Sequence, residues 1–460
     1  MNPPGPSTRF PVTNLVRFRR DAIGYLRRLT EKYGDVVSFS LVGTTLVLVN
    51  QPDLISQILV TDNKNYHKSK GLERAKRLLG EGLLTSEGEV HLQHRRMLQP
   101  AFHRQRVDAY AATMIECSQR RIAGWSDGQT IDLTAEMPQL TLAIVGHTLF
   151  NADIEAEAPE VGEALTEAIE LFNFLTLPFA ELLERFPIGP VRRFRKAKAR
   201  LDATVYRLID ERRKDGKDYG DFLSMVLAAS DQEDEGRRLS DEEVRDQVMT
   251  IFLAGHETTA TAMIWTLCLI SLHPDVERLL LDEIESQLGA THPSADDLAR
   301  LPYTRAVLTE SMRLYPPAWM IGRKALTDTE VGGYTLPKGV IVLMSPAVTQ
   351  RDARYYDRPD AFDPGRWIGD AAGERPKMAY FPFGGGPRVC IGERFAWMEM
   401  MIVLTEVIRE WHCDLVPGQT IGVKPILTQR PSGSVMMTLR KRNNAAAMAE
   451  ARVAGVVERP

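Results

Sequence analysis

The sequence predicts a mainly α-helical fold with a minor β subdomain, and three observations support that prediction. Long segments with apolar residues at helical spacing make up most of the 460 residues. Short runs rich in β-branched residues, bounded by glycine and proline, lie mainly near residues 36–50, 318–345 and 421–440. The chain has no internal repeat and no long linker, so we expect one domain over residues 1–442 and a flexible, alanine-rich tail over 443–460.

The first half of the chain is divided by its breaker residues. Residues 1–18 are proline-rich and then basic, which predicts an extended lead-in. A helix is predicted over 21–33, ended by Gly34. Residues 63–87 mix charges and glycines without a period, which predicts an irregular segment able to line a pocket. Residues 89–151 are predicted to be mostly helical.

The second half contains the longest predicted helix. Ser-Asp-Glu-Glu at 240–243 resembles a capping box and predicts a helix that continues to Leu272, before His273-Pro274. Further helices are predicted up to Leu288 and over 303–315. Residues 351–387 form a meander without periodicity, and a loop of that length is uncommon unless it has a function.

Composition excludes several classes of function. The net charge of −4 gives no support for nucleic-acid binding. No apolar run approaches the ~18 residues needed to span a bilayer, and the N-terminus lacks the pattern of a signal peptide. The four cysteines are far apart and form no CxxC, which argues against a disulfide framework or a zinc site. We therefore expect a soluble protein of the reducing cytoplasm.

A glycine-rich loop, Phe383-Gly-Gly-Gly-Pro-Arg-Val-Cys-Ile-Gly392, ends in a cysteine that precedes a helical run. A thiolate at a helix N-terminus is stabilised by the helix dipole and by free N–H groups. The glycines leave room for a flat ligand, Phe383 is placed to lie against it, and Arg388 to neutralise an anionic group on it. The alternative is that Cys390 is an inert, buried residue.

The long helix contains an unusual polar turn, Ala-Gly-His-Glu-Thr-Thr at 254–259, between strongly apolar flanks. Thr258 is predicted to bond back to the carbonyl of Ala254, which would open a groove beside Gly255. A hydroxyl and the Glu257 carboxylate in such a groove suit the binding of a small polar molecule and the delivery of protons to it. The alternative is a helix with one odd polar turn.

Two motifs connect a helix with the meander. Glu310 and Arg313 lie three residues apart on one helical face. Arg366, in Phe-Asp-Pro-Gly-Arg-Trp at 362–367, is expected to reach back to Glu310 and to fasten the meander to the helix. The alternative is that Glu310 and Arg313 form only an exposed i,i+3 ion pair.

Taken together, these motifs resemble those of the cytochrome P-450 family of haem-thiolate monooxygenases. Four occur in the family's order: AGxET at 254–258, ExxR at 310–313, FxPxRW at 362–367 and FGGGPRVCIG at 383–392. The resemblance extends to about residue 442. It implies the family's fold, a triangular helical prism around a buried haem b, and similarity to the fatty-acid-hydroxylase and microsomal-like branch.

The resemblance also implies roles for individual residues. Cys390 looks like the axial thiolate ligand of the haem iron. Thr258 and Glu257 look like the alcohol–acid pair that activates oxygen. A structural triad and a set of cofactor-binding residues are implied as well: Glu310, Arg313 and Arg366 for the triad, and His91, Arg95, Arg323, Arg388 and Phe383 for the cofactor. Many family members have tryptophan where this chain has His91.

The implied substrate is hydrophobic, such as a fatty acid, terpenoid or steroid. By analogy, the substrate pocket would be lined by apolar residues, namely Leu84, Leu253, Ala254, Met320 and Leu427. The aromatic run 171–180 is a candidate lid, although core packing is the favoured interpretation.

The implied reaction inserts one oxygen atom of O₂ into the substrate. Electrons from NAD(P)H would come through separate partners, a ferredoxin or flavodoxin with its reductase, docking near Arg96, Arg104, Arg106 and Arg394. The protein is expected to be a monomer without a transmembrane anchor. A haem-thiolate peroxygenase or isomerase and a non-catalytic haem-binding protein remain alternatives.

Overall fold

The computed structural model describes most of the chain. The described residues are 2–7, 12–41, 43–152, 162–164, 167–168, 189–231, 237–369 and 375–442. The candidate lid at 171–180 and the tail at 443–460 lie outside them.

Helices dominate the described part, as the sequence predicts. Their bounds are α1 Thr13–Arg20, α2 Ala22–Tyr33, α3 Pro52–Ser56, α4 Lys70–Leu79, α5 Gly88–Leu98, α6 Arg104–Ala109, α7 Ala111–Ala123, α8 Leu133–Leu149, α9 Gly189–Asp215, α10 Phe222–Ala228, α11 Asp241–Leu272, α12 Pro274–Leu288, α13 Pro302–Leu314, α14 Pro346–Thr349 and α15 Glu393–Glu410. A π-helical turn, Gln57–Thr61, follows α3.

The strands form small sheets. Their bounds are β1 Val36–Leu41, β2 Thr44–Val49, β3 Tyr66–Lys68, β4 Thr130–Asp132, β5 Ser230–Asp231, β6 Arg237–Arg238, β7 Ile321–Ala325, β8 Thr329–Val331, β9 Tyr334–Leu336, β10 Ile341–Met344, β11 Trp411–Leu415, β12 Val423–Pro425, β13 Gln429–Pro431 and β14 Met436–Lys441. The largest sheet has the order β1-β2-β10-β7-β3, and a second has the order β11-β14-β4. The predicted mainly α fold with a minor β portion is confirmed.

The long helix α11 runs through the main core. The predicted capping box is present, because the Ser240 side chain accepts from the Glu243 backbone while the Glu243 side chain accepts from the Ser240 backbone. The helix ends at Leu272, and Pro274 starts α12. Proline is tolerated at the first position of a helix because a backbone N–H there would have no partner within the helix. Helices α8, α9, α13 and α15 pack around α11, so its middle is enclosed by protein.

Two local predictions are wrong. The expected extended lead-in contains α1, which packs onto the fold because Phe18 contacts the rings of Tyr25 and Trp319. The segment 63–87, expected to be irregular, contains β3 and α4. Both elements are stabilised by tertiary contacts, since β3 pairs with β7, and such contacts leave little local signal in the sequence.

Candidate active site

One face in the middle of α11 is open to an internal space. From Val244 to Ile270 every residue is buried except Ala254, Gly255 and Thr258. These three lie one and four residues apart, so they share one side of the helix. The glycine also allows close packing, since an added Cβ at Gly255 would lie 3.0 Å from Cγ2 of Val145 in α8.

The two side chains of the predicted alcohol–acid pair are both held by other groups. Thr258 donates its hydroxyl to the Ala254 carbonyl at 2.7 Å, as the sequence predicts. Glu257 is 3% exposed and accepts a 2.5 Å hydrogen bond from Thr428 Oγ1. Its two carboxylate oxygens also accept from Nε and Nη2 of Arg430. Sequence reasoning missed Thr428 and Arg430.

The cysteine loop is a tight turn fixed by its own backbone. Cys390 N donates to Phe383 O at 3.0 Å, which closes the loop just before α15. Gly384 and Gly386 have φ values of +76° and +69°, in the region that disfavours side chains. An added Cβ at Gly386 would also overlap the carbonyl oxygen of Leu59. The glycines are therefore required for the loop's shape as well as for access to it.

The Cys390 thiol combines accessible surface with a desolvated setting. It is exposed, whereas the other three cysteines are buried. Burial by the surrounding protein nevertheless raises the pKa of the Cys390 thiol to about 11, while the Gly392 N–H and Arg95 oppose the rise. An accessible thiol of this kind is available to a ligand that covers it. A bound metal cation would displace the thiol proton outright.

Buried cations surround a second part of the site. Three cations lie here: Lys68 in β3, Arg323 in β7 and Arg388 in the cysteine loop. They outnumber the nearby carboxylate of Glu87, which forms an ion pair with Arg388. Burial and the charge of Arg388 lower the pKa of Lys68 to about 7 and that of Arg323 to about 10. Such an excess of buried positive charge favours an anionic ligand.

Two polar atoms beside these cations have no hydrogen-bond partner among the described residues, and both are buried: Nη1 of Arg388 and Nε2 of His91. His91 Nδ1 lies 3.1 Å from the Leu83 carbonyl, which can only accept, so Nδ1 carries the proton of the neutral ring. Burial and Lys68 lower the pKa of His91 to about 4. The neutral ring therefore has no proton on Nε2. His91 would donate from Nε2 only when a neighbouring carboxylate stabilises the doubly protonated, positively charged ring.

A planar ligand with two carboxylates and a metal centre fits this arrangement. The carboxylates would satisfy Arg388 Nη1 and offset the positive charge. The Cys390 thiol would hold the metal, and the half-buried face of α11 offers a polar turn that could serve its chemistry. Sequence reasoning missed Lys68, which donates from Nζ to the Leu83 and Ser86 carbonyls in this part of the site.

The structure brings Glu310, Arg313 and Arg366 together. Glu310 and Arg313 are 0% exposed, and Arg313 donates from Nε and Nη2 to the two carboxylate oxygens at 2.8 Å. Arg366 Nε and Trp367 Nε1 add hydrogen bonds of 2.9 and 2.8 Å to the same carboxylate, and Asp363 N adds one of 3.0 Å. Arg313 also donates to three carbonyls of residues 350–361. The meander is thus fastened to α13.

The five predicted pocket residues do not all lie in one cluster. Leu253 is part of the main core, and Leu84 and Leu427 are half-buried against it. Ala254 is on the open face of α11. Met320 instead packs against the cluster formed by α2 and the β1–β2 hairpin.

The arginines proposed from sequence as a docking surface have internal contacts. Arg104 Nε and Arg394 Nε lie 3.3 and 3.8 Å from the carboxylate of Asp108. Arg106 donates to the Gly220 carbonyl. Arg96 is exposed on α5, the helix that also contains His91 and Arg95.

The sequence pattern of the cytochrome P450 family matches residues 3–441. The chain belongs to the cytochrome P450 family. A protein of this family holds a haem, and the thiol and cation geometry described above is compatible with that cofactor. Among the described residues, no helix combines the length and apolarity that crossing a bilayer requires.

Curated relatives of the chain include three enzymes from Streptomyces species. The chain is 38% identical to cyclooctatin synthase of Streptomyces melanosporofaciens, over 85% of this chain and 86% of that protein. It is 37% identical to cyclooctat-9-en-7-ol 5-monooxygenase of the same species, over 85% and 84%. It is 34% identical to pentalenene oxygenase of Streptomyces avermitilis, over 86% and 87%.

Solved P450 structures show the same fold. A cyanobacterial CYP120A1 with bound retinoic acid matches with a TM-score of 0.85 and 26% identity, over 95% of this chain and 99% of that one. The haem domain of cytochrome P450DA matches with a TM-score of 0.86 and 28% identity, over 95% and 97%. The predicted P450 fold is confirmed, and the protein is a cytochrome P450 monooxygenase.

Proposed function

We propose that this P450 monooxygenase hydroxylates a terpenoid. The overall reaction adds one atom of O₂ to a C–H bond and reduces the other to water, with two electrons and two protons. The single observation that carries the substrate class is the likeness to relatives named for cyclooctat-9-en-7-ol and pentalenene. The apolar side chains near the open face of α11 suit such a substrate.

The cofactor would be held through residues from several elements. Cys390 would be the protein's ligand to the iron, and haem so ligated supplies the activation of O₂. Phe383, at the start of the loop and half-buried against the core, would pack beside the ring. The propionates would be held by five side chains, which are the three buried cations and two neighbours: Lys68, Arg323 and Arg388, with His91 and Arg95. Glu310, Arg313 and Arg366 would act at a distance, by fixing the meander that leads into the cysteine loop.

Protons would reach the site through the polar turn of α11. Thr258 lies on the open face and would hold a proton donor to the reacting oxygen, while Glu257 would supply protons from solvent. Presence of both residues favours the use of O₂ over a peroxygenase or isomerase reaction, because neither of those needs proton delivery to O₂.

The substrate would lie between the open face of α11 and its apolar neighbours. Leu253 and Ala254 would contact it from the helix, and Leu84 and Leu427 from two connecting segments. Met320, which packs on a different cluster, would have to turn toward the cavity to join them.

Electrons from NAD(P)H would arrive through a separate ferredoxin or flavodoxin with its reductase. Arg96, Arg104 and Arg394 lie on helices near the cysteine loop and would attract an acidic partner. Salt screens exposed charges, so we expect the attraction to weaken as the ionic strength rises. Asp108 offsets part of the positive charge of Arg104 and Arg394.

A binding and turnover screen tests the substrate class. Pentalenene, cyclooctat-9-en-7-ol, a long-chain fatty acid and a steroid would each be titrated, with the haem spin-state shift as the readout. Compounds that change the haem spin state would then be incubated with NADPH and a surrogate ferredoxin and reductase, and the products would be identified by mass spectrometry. We expect terpenoids to bind and to gain one oxygen atom. A shift and product with the fatty acid or the steroid alone would contradict the terpenoid proposal.

A further inference from the structure

The carboxylate of the polar turn is held by a hairpin far along the chain. Strands β12 and β13 pair antiparallel, with Lys424 opposite Arg430. Thr428 and Arg430, 171 and 173 residues beyond Glu257 in sequence, provide the hydrogen bonds to its carboxylate. Glu257 is 3% exposed and the Arg430 side chain is 21% exposed, so this ion pair is largely shielded from water.

The hairpin backbone is anchored on both sides of its turn. Trp319 Nε1 donates to the Ile426 carbonyl at 3.0 Å, and Trp265 Nε1 donates to the Gln429 carbonyl at 2.7 Å. Leu427 lies between these two anchors and is half-buried against the main core. Leu427 directly precedes Thr428, one of the two residues that hold Glu257.

Neither member of the alcohol–acid pair is ready to act in this arrangement. The Thr258 hydroxyl is donated to Ala254, and the Glu257 carboxylate is bound to Thr428 and Arg430. For a proton to pass through Glu257, the carboxylate must first leave Arg430. The hairpin therefore controls when the acid is available.

We propose that Thr428 and Arg430 are positioning residues that restrain Glu257, and that a substrate pressing on Leu427 releases it. This inference rests on the proposed roles of Glu257 and Leu427. On release, Glu257 takes one proton from water, passes it toward the groove beside Thr258, and returns as a carboxylate to Arg430, which stays protonated throughout. The chain itself gains and loses no net proton, and the hairpin links proton delivery to occupancy of the pocket.

The ion pair itself can be tested without turnover. Glu257→Gln and Arg430→Gln, alone and combined, would be compared in the free energy of unfolding of the haem-loaded full chain. We expect the two effects to be non-additive, because each substitution removes the same pair. Lys338→Gln removes an exposed charge from a different turn, between β9 and β10, and should combine additively with Glu257→Gln. Additive effects for Arg430 would overturn the proposal.

The restraint is tested by reoxidation of the reduced protein on mixing with O₂ in the absence of substrate. We expect Arg430→Gln to reoxidise at least threefold faster than wild type, with a larger rate ratio between H₂O and D₂O, because Glu257 is no longer held. Thr428→Val and Arg430→Lys should lie between the two, and Lys338→Gln should match wild type. An Arg430→Gln rate and solvent isotope effect equal to those of wild type would show a purely structural pair.

The link to the pocket is tested by adding bulk at the turn. Leu427→Phe and Leu427→Trp imitate a substrate pressing on the hairpin, so we expect both to raise the substrate-free reoxidation rate toward that of Arg430→Gln. If a Leu427 variant retains the reduced-CO band but reoxidises at the wild-type rate, the link to the pocket is refuted. None of these readouts needs a substrate, so a failure of the terpenoid proposal is distinguishable from a failure of this one.

Discussion

Replacing Glu310 with glutamine removes a buried negative charge and leaves the side chain's shape unchanged. In the native protein two carboxylate oxygens accept five hydrogen bonds, from two atoms of Arg313, from Arg366, from Trp367 and from the Asp363 backbone. Glutamine offers one acceptor oxygen, and its NH₂ group would face donors. Arg313, which is 0% exposed, would then be a buried cation without its counter-charge.

Breaking a buried ion pair by removing one partner costs about 3–5 kcal/mol. The folded-to-unfolded ratio should therefore fall roughly 150- to 5,000-fold, at about 1.36 kcal/mol for each factor of ten. Burial alone would raise the pKa of Glu310, but the hydrogen bonds and charge of Arg313 lower it below its ordinary value of 4.5. The stabilisation is thus fully present above that value and is lost as the pH falls below it.

The assay is urea unfolding at pH 7, followed by circular dichroism, with the reduced-CO band as a second readout. Glu31→Gln is the matched control, because Glu31 pairs with Arg27 at 3.1 Å but is 60% exposed. An exposed i,i+4 pair of this kind contributes about 0.3–0.5 kcal/mol. A Glu310→Gln effect no larger than that of Glu31→Gln would refute the proposed structural role of the Glu310–Arg313–Arg366 set.

Two further predictions concern polar groups of α11 and α15. Glu399 is 0% exposed, and burial raises its pKa well above the ordinary 4.5, although a side-chain hydrogen bond with Thr259 opposes the rise. Because the folded state keeps this proton and the unfolded state releases it, wild type should lose stability relative to Glu399→Gln as pH rises above about 4.5. Infrared spectroscopy at neutral pH should show a protonated carboxyl band that Glu399→Gln lacks, and absence of that band in wild type would contradict the assignment. Thr258→Ala should retain the reduced-CO band but release more peroxide per NADPH consumed, whereas wild-type coupling of NADPH to product would mean that Thr258 is only structural.

Local patterns allowed much of the fold and of the site to be predicted from the sequence. The capping box at Ser240 and the glycine loop before Cys390 depend on neighbouring residues, and both have the predicted local geometry. The back-bond from Thr258 to Ala254 spans a single helical turn and is likewise present.

What the sequence did not reveal depends on contacts between distant segments. Arg430 meets Glu257 across 173 residues, and Lys68, in a charged stretch that resembles a solvated surface, is buried beside the cysteine loop. A buried acid requires a partner, but the local sequence does not say which of 57 lysines and arginines supplies it. Helix α1 was missed for the same reason, because its stability comes from packing on Trp319 rather than from helix propensity.

Cys390 as the protein ligand of the haem iron is the proposal on which the rest of the site depends. It is tested most directly by the absorbance of the dithionite-reduced protein with CO. We expect a band at about 450 nm for wild type, as the family's name implies, and its loss in Cys390→Ser and Cys390→His. Cys413→Ser, which alters a buried cysteine on β11, should retain the band. Persistence of the band in the Cys390 variants would show that another group ligates the iron.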